Sequence, residues 1–538
     1  MFVTMKPTFA KSTQQLREAS YRFDDHSLLA KKSLIGHLSK MKLPVNEVLV
    51  EYVDVLLFIL AHPDDKAMMH FVEKELRRIS TELKKLMPAK KKSFVNSGLP
   101  WMHIHTRFSH DCITWMLERN DINLEIESYT EPSLHLIDAL KITLPAVERE
   151  YTTTGMENDE LMDELLIDKS QRLSFIADQL NTLNHVPIVK DFIFDGLDIH
   201  VDVKPTSTKF SKIYNRIVRD DIFYHNDILK KFDHVALLNS ELPQPVVMSG
   251  SERNACVDAL KIMMTLNARE TDPTTFMDES SLRLYDLERG ISVAIYGMTP
   301  SRQLPTESYV GFTLFKNGLP ASYGGGWVFG RRSLFGINIL EAFRGGESGY
   351  VMCQILRVYR QAFGVDYFEV EPYQYGADNA DGIKSGAFWF YYRYGFRPLE
   401  KTLFNLAERE SKKIQSTKGY RTGEKTLLRF TESNIALNLG KTIPPTVSDL
   451  VLDITALIKK KYKGDRALAQ KECIRLFLNA AKIQMPDNLD ELRVLSEVSF
   501  LYAVLSKKQQ NNILLLKEMI TTKPNDLYGY QQLLLKLF

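Results

Sequence analysis

The chain has 538 residues, of which 44% are hydrophobic and 25% charged, the composition of folded protein rather than of a disordered tail or a fibre. A single core does not serve that length, so two or three domains are expected. Lys and Arg number 69 against 67 Asp and Glu, and the resulting +2 supplies no overall field for nucleic acid or an anionic membrane.

The first stretch, MFVTMKPTFAKSTQQ, lacks the apolar core of a secretory signal. The longest apolar run, Val55 to Ala61, is too short to span a bilayer. Cys112, Cys256, Cys353 and Cys473 are widely spaced and form no C-x-x-C pair, so neither a disulfide framework nor a zinc knuckle is expected. Together these features predict a cytoplasmic protein with no membrane span.

Residues 1–240 read as mainly helical, as in Val45 to Leu60 and Lys66 to Leu86, with a strand-like interlude at Phe192 to Val203. Between those helices, Ala61-His62-Pro63-Asp64-Asp65 resembles the opening of the A-H-P-D-D-E signature of zinc-dependent sugar deacetylases. Lys66 occupies the acidic sixth position, and a helix end followed by an aspartate cap accounts for the same residues. Further on, His103 and His105 share one face of a predicted strand, a spacing a divalent metal can use, and His110 follows. Ser109 would cap the helix that begins there. The basic runs Lys90-Lys91-Lys92 and Lys459-Lys460-Lys461 have no aromatic neighbours to stack on bases and read as solvated ends.

From about residue 245 to 400 the pattern changes. Arg253 to Arg269 has apolar residues at helical spacing, and Ile291 to Tyr296 and Tyr309 to Phe315 read as strands. Lys316-Asn317-Gly318-Leu319 supplies a hairpin turn. The next strand contains Gly324, Gly325 and Gly326, which implies a bulge or a ligand passing close to the backbone. The segment Phe335 to Leu399 then reads as strand, glycine-rich turn, helix, strand, helix, strand. Ile337 to Leu340 runs into Arg344-Gly345-Gly346-Glu347-Ser348-Gly349, and a helix with Val351, Ile355, Val358 and Tyr359 follows at once. A helix begun through glycines presents unpaired N–H groups and a positive dipole end to a phosphate.

That order, R-G-x-x-x-G turn included, and the later A-x-x-x-Y-x-x-x-G-F at Ala387 to Phe396 resemble the coenzyme A half of the GNAT acyltransferase superfamily over roughly residues 291–399. The resemblance implies a mixed sheet whose splayed strands admit acetyl-CoA or another acyl-CoA as donor. It places the pyrophosphate on Arg344, Gly345, Gly346, Ser348 and Gly349, and a thioester oxygen on the backbone N–H near Ile339. It makes Tyr391 the acid for the departing thiolate, and Glu341 and Glu371, at the ends of adjacent strands, are candidate bases. The acceptor would be an amine on a small molecule or a protein. Two departures accompany the match: Glu347 stands where the family has a glycine, and Asn379 lies eight residues before Ala387 instead of about three.

From 401 to 538 the pattern is helical again, with Leu427 to Leu439, Ser448 to Lys461, Arg466 to Ile483 and Leu489 to Leu505 as amphipathic candidates and a break at Pro444-Pro445. The fold class expected is α/β, a mixed-sheet GNAT-like core with large helical N- and C-terminal regions. Two other functions stay open on the sequence: a GNAT-shaped binding or scaffold protein that has lost CoA because of Glu347, and a metal-dependent hydrolase using His103, His105 and His110.

Overall fold

The computed structural model describes residues 8–538, a mixed α/β chain with two sheets. Four helices, Phe9–Ser20, Asp25–Leu38, Glu47–Ala61 and Lys66–Lys84, begin it. The third is buried along its second half from Val55 to Ala61, because its apolar residues run all round and it lies between its neighbours and the central sheet. Asp65 caps the fourth, its side chain accepting from the Met68 N–H, as the sequence suggested.

A small antiparallel sheet follows, made of β1 (Ile104–Arg107), β2 (Ile122–Tyr129) and β3 (Ile199–Pro205) in the order β1-β3-β2. Ile199, Val201 and Val203 face a separate apolar core, while His200, Asp202 and Lys204 alternate to the outer face. The strand expected from Phe192 starts later, at Ile199. Pro187 opens a helix, Pro187–Gly196, and the chain becomes extended only at Ile199, after a left-handed turn at Asp198.

The second sheet holds β4 (Met277–Asp286), β5 (Ile291–Met298), β6 (Ser308–Lys316), β7 (Leu319–Phe329), β8 (Arg332–Ile339), β9 (Tyr367–Val370), β10 (Arg397–Pro398) and β11 (Ile435–Asn438). Their spatial order is β10-β11-β9-β8-β7-β6-β5-β4, and every neighbouring pair is antiparallel except β8 with β9. The helix Ser348–Phe363 makes that one parallel crossover. It covers the face carrying Val293, Ile295, Val310 and Phe312, while the helix Gly250–Leu266 covers the face carrying Ala294, Tyr296 and Phe315. Both faces are dry, which is why β5 is buried at every position.

Asn317 and Gly318 form the two-residue turn between β6 and β7, with φ of 45° and 82°, values asparagine and glycine tolerate. The three glycines of β7 make no bulge; the register shift lies at Leu314 and Phe315. A Cβ on Gly324 would come within 2.1 Å of the Gly336 carbonyl oxygen, and one on Gly325 within 2.7 Å of the Tyr309 ring. Close packing by neighbours, rather than a bulge, is what these positions require.

The C-terminal region is mainly helical, with Val447–Tyr462, Arg466–Ala481 and Leu489–Val504 near the expected places. Leu427 to Leu439 is not one helix. A helix, Glu424–Phe430, stops and Ile435–Asn438 becomes β11, inserted between β9 and β10. The central sheet therefore draws on residues beyond 400.

Candidate functional site

The strands β8 and β9 pair only at their starts, Arg332 with Tyr367 through Leu334 with Glu369. Beyond Leu334, β8 keeps its bonds to β7 and parts from β9. A sheet that opens in this way exposes backbone N–H groups along the diverging edge. One of them, on Ile337, donates to the side-chain oxygen of Gln374 at 3.3 Å. Ile339, two residues on, turns its N–H to the same side by strand alternation. Its carbonyl accepts from the Arg344 guanidinium at 3.1 Å.

Tyr391 stands across this opening. It lies in the helix Ala387–Arg393, is buried among Tyr375, Phe390 and Phe396, and points its hydroxyl at the same Gln374 oxygen, 3.4 Å away. Burial pushes its phenol well above the ordinary range, so it holds its proton. Gln374 thus joins the β8 edge to the phenol, and the sequence reading did not single it out. It comes from the short turn Pro372–Tyr375, part of the segment that displaces Asn379. Asn379 itself caps the next helix, accepting from Gly382 N–H at 3.2 Å.

At the mouth of the opening lies the turn into the helix Ser348–Phe363. The first backbone bond of that helix runs from Val351 N–H to the Glu347 carbonyl, and the N–H groups from Gly345 to Tyr350 have no acceptor among the described residues. Gly345 adopts φ 81°, and Arg344 and Gly345 are exposed. Ser348 and Gly346 are half-buried, and Gly349 is buried beneath Tyr394, whose hydroxyl would lie 1.7 Å from a Cβ there. The N-terminal helices reach this turn: the Tyr21 hydroxyl donates to the Arg344 carbonyl at 3.3 Å, and the Phe58 ring would lie 3.0 Å from a Cβ on Gly346.

Glu347 does not face the turn's N–H groups. Its side chain is 1% exposed and is turned inward onto the Lys316 ammonium, with Arg289 at 2.7 Å and the Leu229 N–H at 3.0 Å. Burial alone would raise its carboxyl, but Lys316 and these donors outweigh it and hold the group ionised. His62 and His225 complete the cluster. Burial, reinforced by Lys316, lowers His62 to about 3 and keeps both imidazoles neutral. The ligand atoms of His62, His225 and Glu347 are close enough together to suit a metal ion, yet Lys316 and Arg289 already neutralise the carboxylate and would repel one.

Glu341 and Glu371 follow β8 and β9 respectively and are both exposed. Glu341 also borders a cavity of about 230 Å³ between the helices Glu47–Ala61 and Gly250–Leu266, whose polar lining includes Asn96, Asn267 and the Lys212–Asp54 ion pair at 2.6 Å.

The three histidines weighed for a metal hydrolase do not assemble. His110 is buried against Phe194 with Nε2 at 3.0 Å from the Ala177 carbonyl, and Ser109 caps its helix as expected. His103 and His105 meet Asp202 instead, a residue brought in by strand pairing that spacing could not supply.

Comparison with known proteins finds no family model, no curated protein and no solved structure that matches the chain. Among the described residues, no helix is long and apolar enough to cross a membrane.

Proposed function

We propose that the chain is an acyl-CoA-dependent N-acyltransferase with a GNAT-like core, its donor lying in the opening between β8 and β9. The observation that carries this reading is the conjunction at that opening: a parallel pair that diverges after three residues, unpaired N–H groups at the helix start beside it, and a buried phenol facing its edge. Backbone N–H groups and Arg344 would hold the pyrophosphate, and the Ile339 N–H would meet the thioester oxygen. The inward orientation of Glu347 removes the repulsion its position in the turn implied.

In the reaction, an amine nitrogen attacks the thioester carbonyl, the C–S bond breaks, and the amine loses a proton as the thiolate gains one. Tyr391 would supply the proton to sulfur once Gln374 releases its hydroxyl. Glu341 or Glu371, through water, would take the proton from nitrogen. The cavity beside Glu341 would take the amine acceptor, with Glu341 as its anionic group, since Asp54 is already held by Lys212.

One observation favours the scaffold reading. Tyr21 and Phe58 lie on the turn, so part of the surface a pyrophosphate would use is occupied by the N-terminal helices. Incubation of the purified chain with acetyl-CoA and a panel of diamines and basic peptides, read by free thiol release, separates the two. Thiol release dependent on an amine supports the transferase, and none with any acceptor leaves the scaffold.

A further inference from the structure

The outer face of the three-stranded sheet holds a cluster that the acyltransfer reading leaves unused. β1 and β3 pair His105 opposite Asp202, and His103, just before β1, lies one step along the same face. One oxygen, Asp202 Oδ1, stands 3.0 Å from His103 Nδ1 and 2.9 Å from His105 Nε2. Despite that distance, neither His105 Nε2 nor Asp202 Oδ1 makes a hydrogen bond, to the other or to any group, and both atoms are buried. Two adjacent polar atoms shut off from water and unpaired are costly unless a group in contact with both satisfies them.

The remaining groups explain how His105 would be held. Its other nitrogen, Nδ1, lies 3.1 Å from Glu127 Oε1. Glu127 is the extra residue of a bulge in β2, where the register jumps from Ile126 to Ser128, and a bulge re-aims its side chain. A carboxylate on the far nitrogen fixes the imidazole's tautomer and leaves Nε2 with a lone pair, the usual arrangement behind a metal-bound histidine. Asp202 Oδ2 takes the neighbouring bonds, lying 3.1 Å from His103 Nδ1 and 3.6 Å from Lys204, which is itself drawn toward Glu125 at 2.6 Å. Oδ1 is thus left without a hydrogen bond, and His103 Nδ1 would exchange its bond to Oδ2 for the ion. With Asp202, Glu125 and Glu127 against the single Lys204, the carboxylates outnumber the cation.

The geometry points to a site for one zinc-type divalent cation on His103 Nδ1, His105 Nε2 and Asp202 Oδ1, with Glu127 orienting His105 from behind. Ligand atoms around a tetrahedral ion at about 2.0 Å stand about 3.3 Å apart, close to the two histidine–carboxylate separations already present, and all three ligand atoms lie within 4.8 Å of one another. Two imidazoles and one carboxylate select zinc and its late-transition neighbours over magnesium or calcium, which prefer all-oxygen shells. Three protein ligands leave a fourth position open to water. The ion also cross-links β1 to β3, with β2 bound to it through Glu127.

The test uses the full chain, stripped with a chelator and dialysed, titrated with zinc chloride by calorimetry and with cobalt(II) by absorption. The expected result is one zinc per chain, and cobalt bands of tetrahedral intensity that zinc displaces. Asp202→Asn and His105→Asn should abolish both signals, while Glu127→Gln should weaken zinc binding about 10- to 100-fold. These side chains are partly exposed, so folding is checked by circular dichroism and by a His62→Gln variant, which should bind zinc as the unaltered chain does. No stoichiometric zinc binding, binding that survives Asp202→Asn, or binding lost in a folded His62→Gln variant would overturn the assignment.

Discussion

Lys316→Met tests the inward orientation of Glu347, on which the anion-binding role of the turn depends. Both side chains are nearly sealed from water, at 2% and 1% exposure, so removing the ammonium leaves a carboxylate that cannot be solvated where it stands. Loss of one partner from a buried pair costs about 3–5 kcal/mol. Arg289 remains at 2.7 Å and the Leu229 N–H at 3.0 Å, which places the expected cost near the lower end, about 3 kcal/mol. Glu347→Gln strands Lys316 in turn, and the double variant removes both charges, so the pair should couple by about 1.5 kcal/mol or more in a double-mutant cycle. Urea unfolding of the four proteins, followed by a probe in the central sheet, measures this. Additive single effects, or a Lys316→Met cost below about 1 kcal/mol, would mean that Glu347 faces the turn and solvent and would refute the reasoning.

Acid should destabilise the same cluster. His62 is lowered to about 3 by burial and Lys316, and His225 is lowered as well, whereas an unfolded imidazole sits near about 6.5. The unfolded chain therefore takes up protons first, so this contribution is complete above about pH 6.5 and lost as pH falls toward 3. Over the two units down to pH 4.5 it amounts to about 2.7 kcal/mol for His62. His62→Gln should flatten the unfolding free energy over that range by a comparable amount, and an unchanged pH profile would contradict it. Tyr391→Phe should lower turnover about 10²- to 10⁴-fold with CoA binding intact if the phenol is the acid. A variant that turns over normally removes Tyr391 from the mechanism.

Local features carried much of the fold. The Asn317-Gly318 turn, the strand into Arg344-Gly345-Gly346 and the helix after it are written in neighbouring residues, and so they were legible. The parallel placement of β8 and β9 followed from the length of the helical crossover between them. What could not be read depends on residues distant in the chain. β11 is a strand because a slot waits between β9 and β10, and nothing in Ile435-Ala436-Leu437-Asn438 distinguishes it from the end of a helix. Glu347 looked like an obstacle to phosphate because its partners, Lys316, Arg289 and His62, come from other elements. Gln374 lies in a turn of ordinary composition, and Asp202 meets His105 only through strand register.

The most direct measurement is calorimetric titration of CoA and acetyl-CoA into the full chain and into Ser348→Asp. Gly349 is unsuitable for the variant, because any side chain there collides with Tyr394. Ser348 is half-buried at the helix start, where an aspartate favours the helix but repels a pyrophosphate. The account predicts saturable binding of one ligand per chain, stabilisation by about 2.7 kcal/mol at a ligand concentration 100 times Kd, and loss of both in the folded Ser348→Asp protein. No binding at millimolar CoA, or equal binding by the variant, would contradict it.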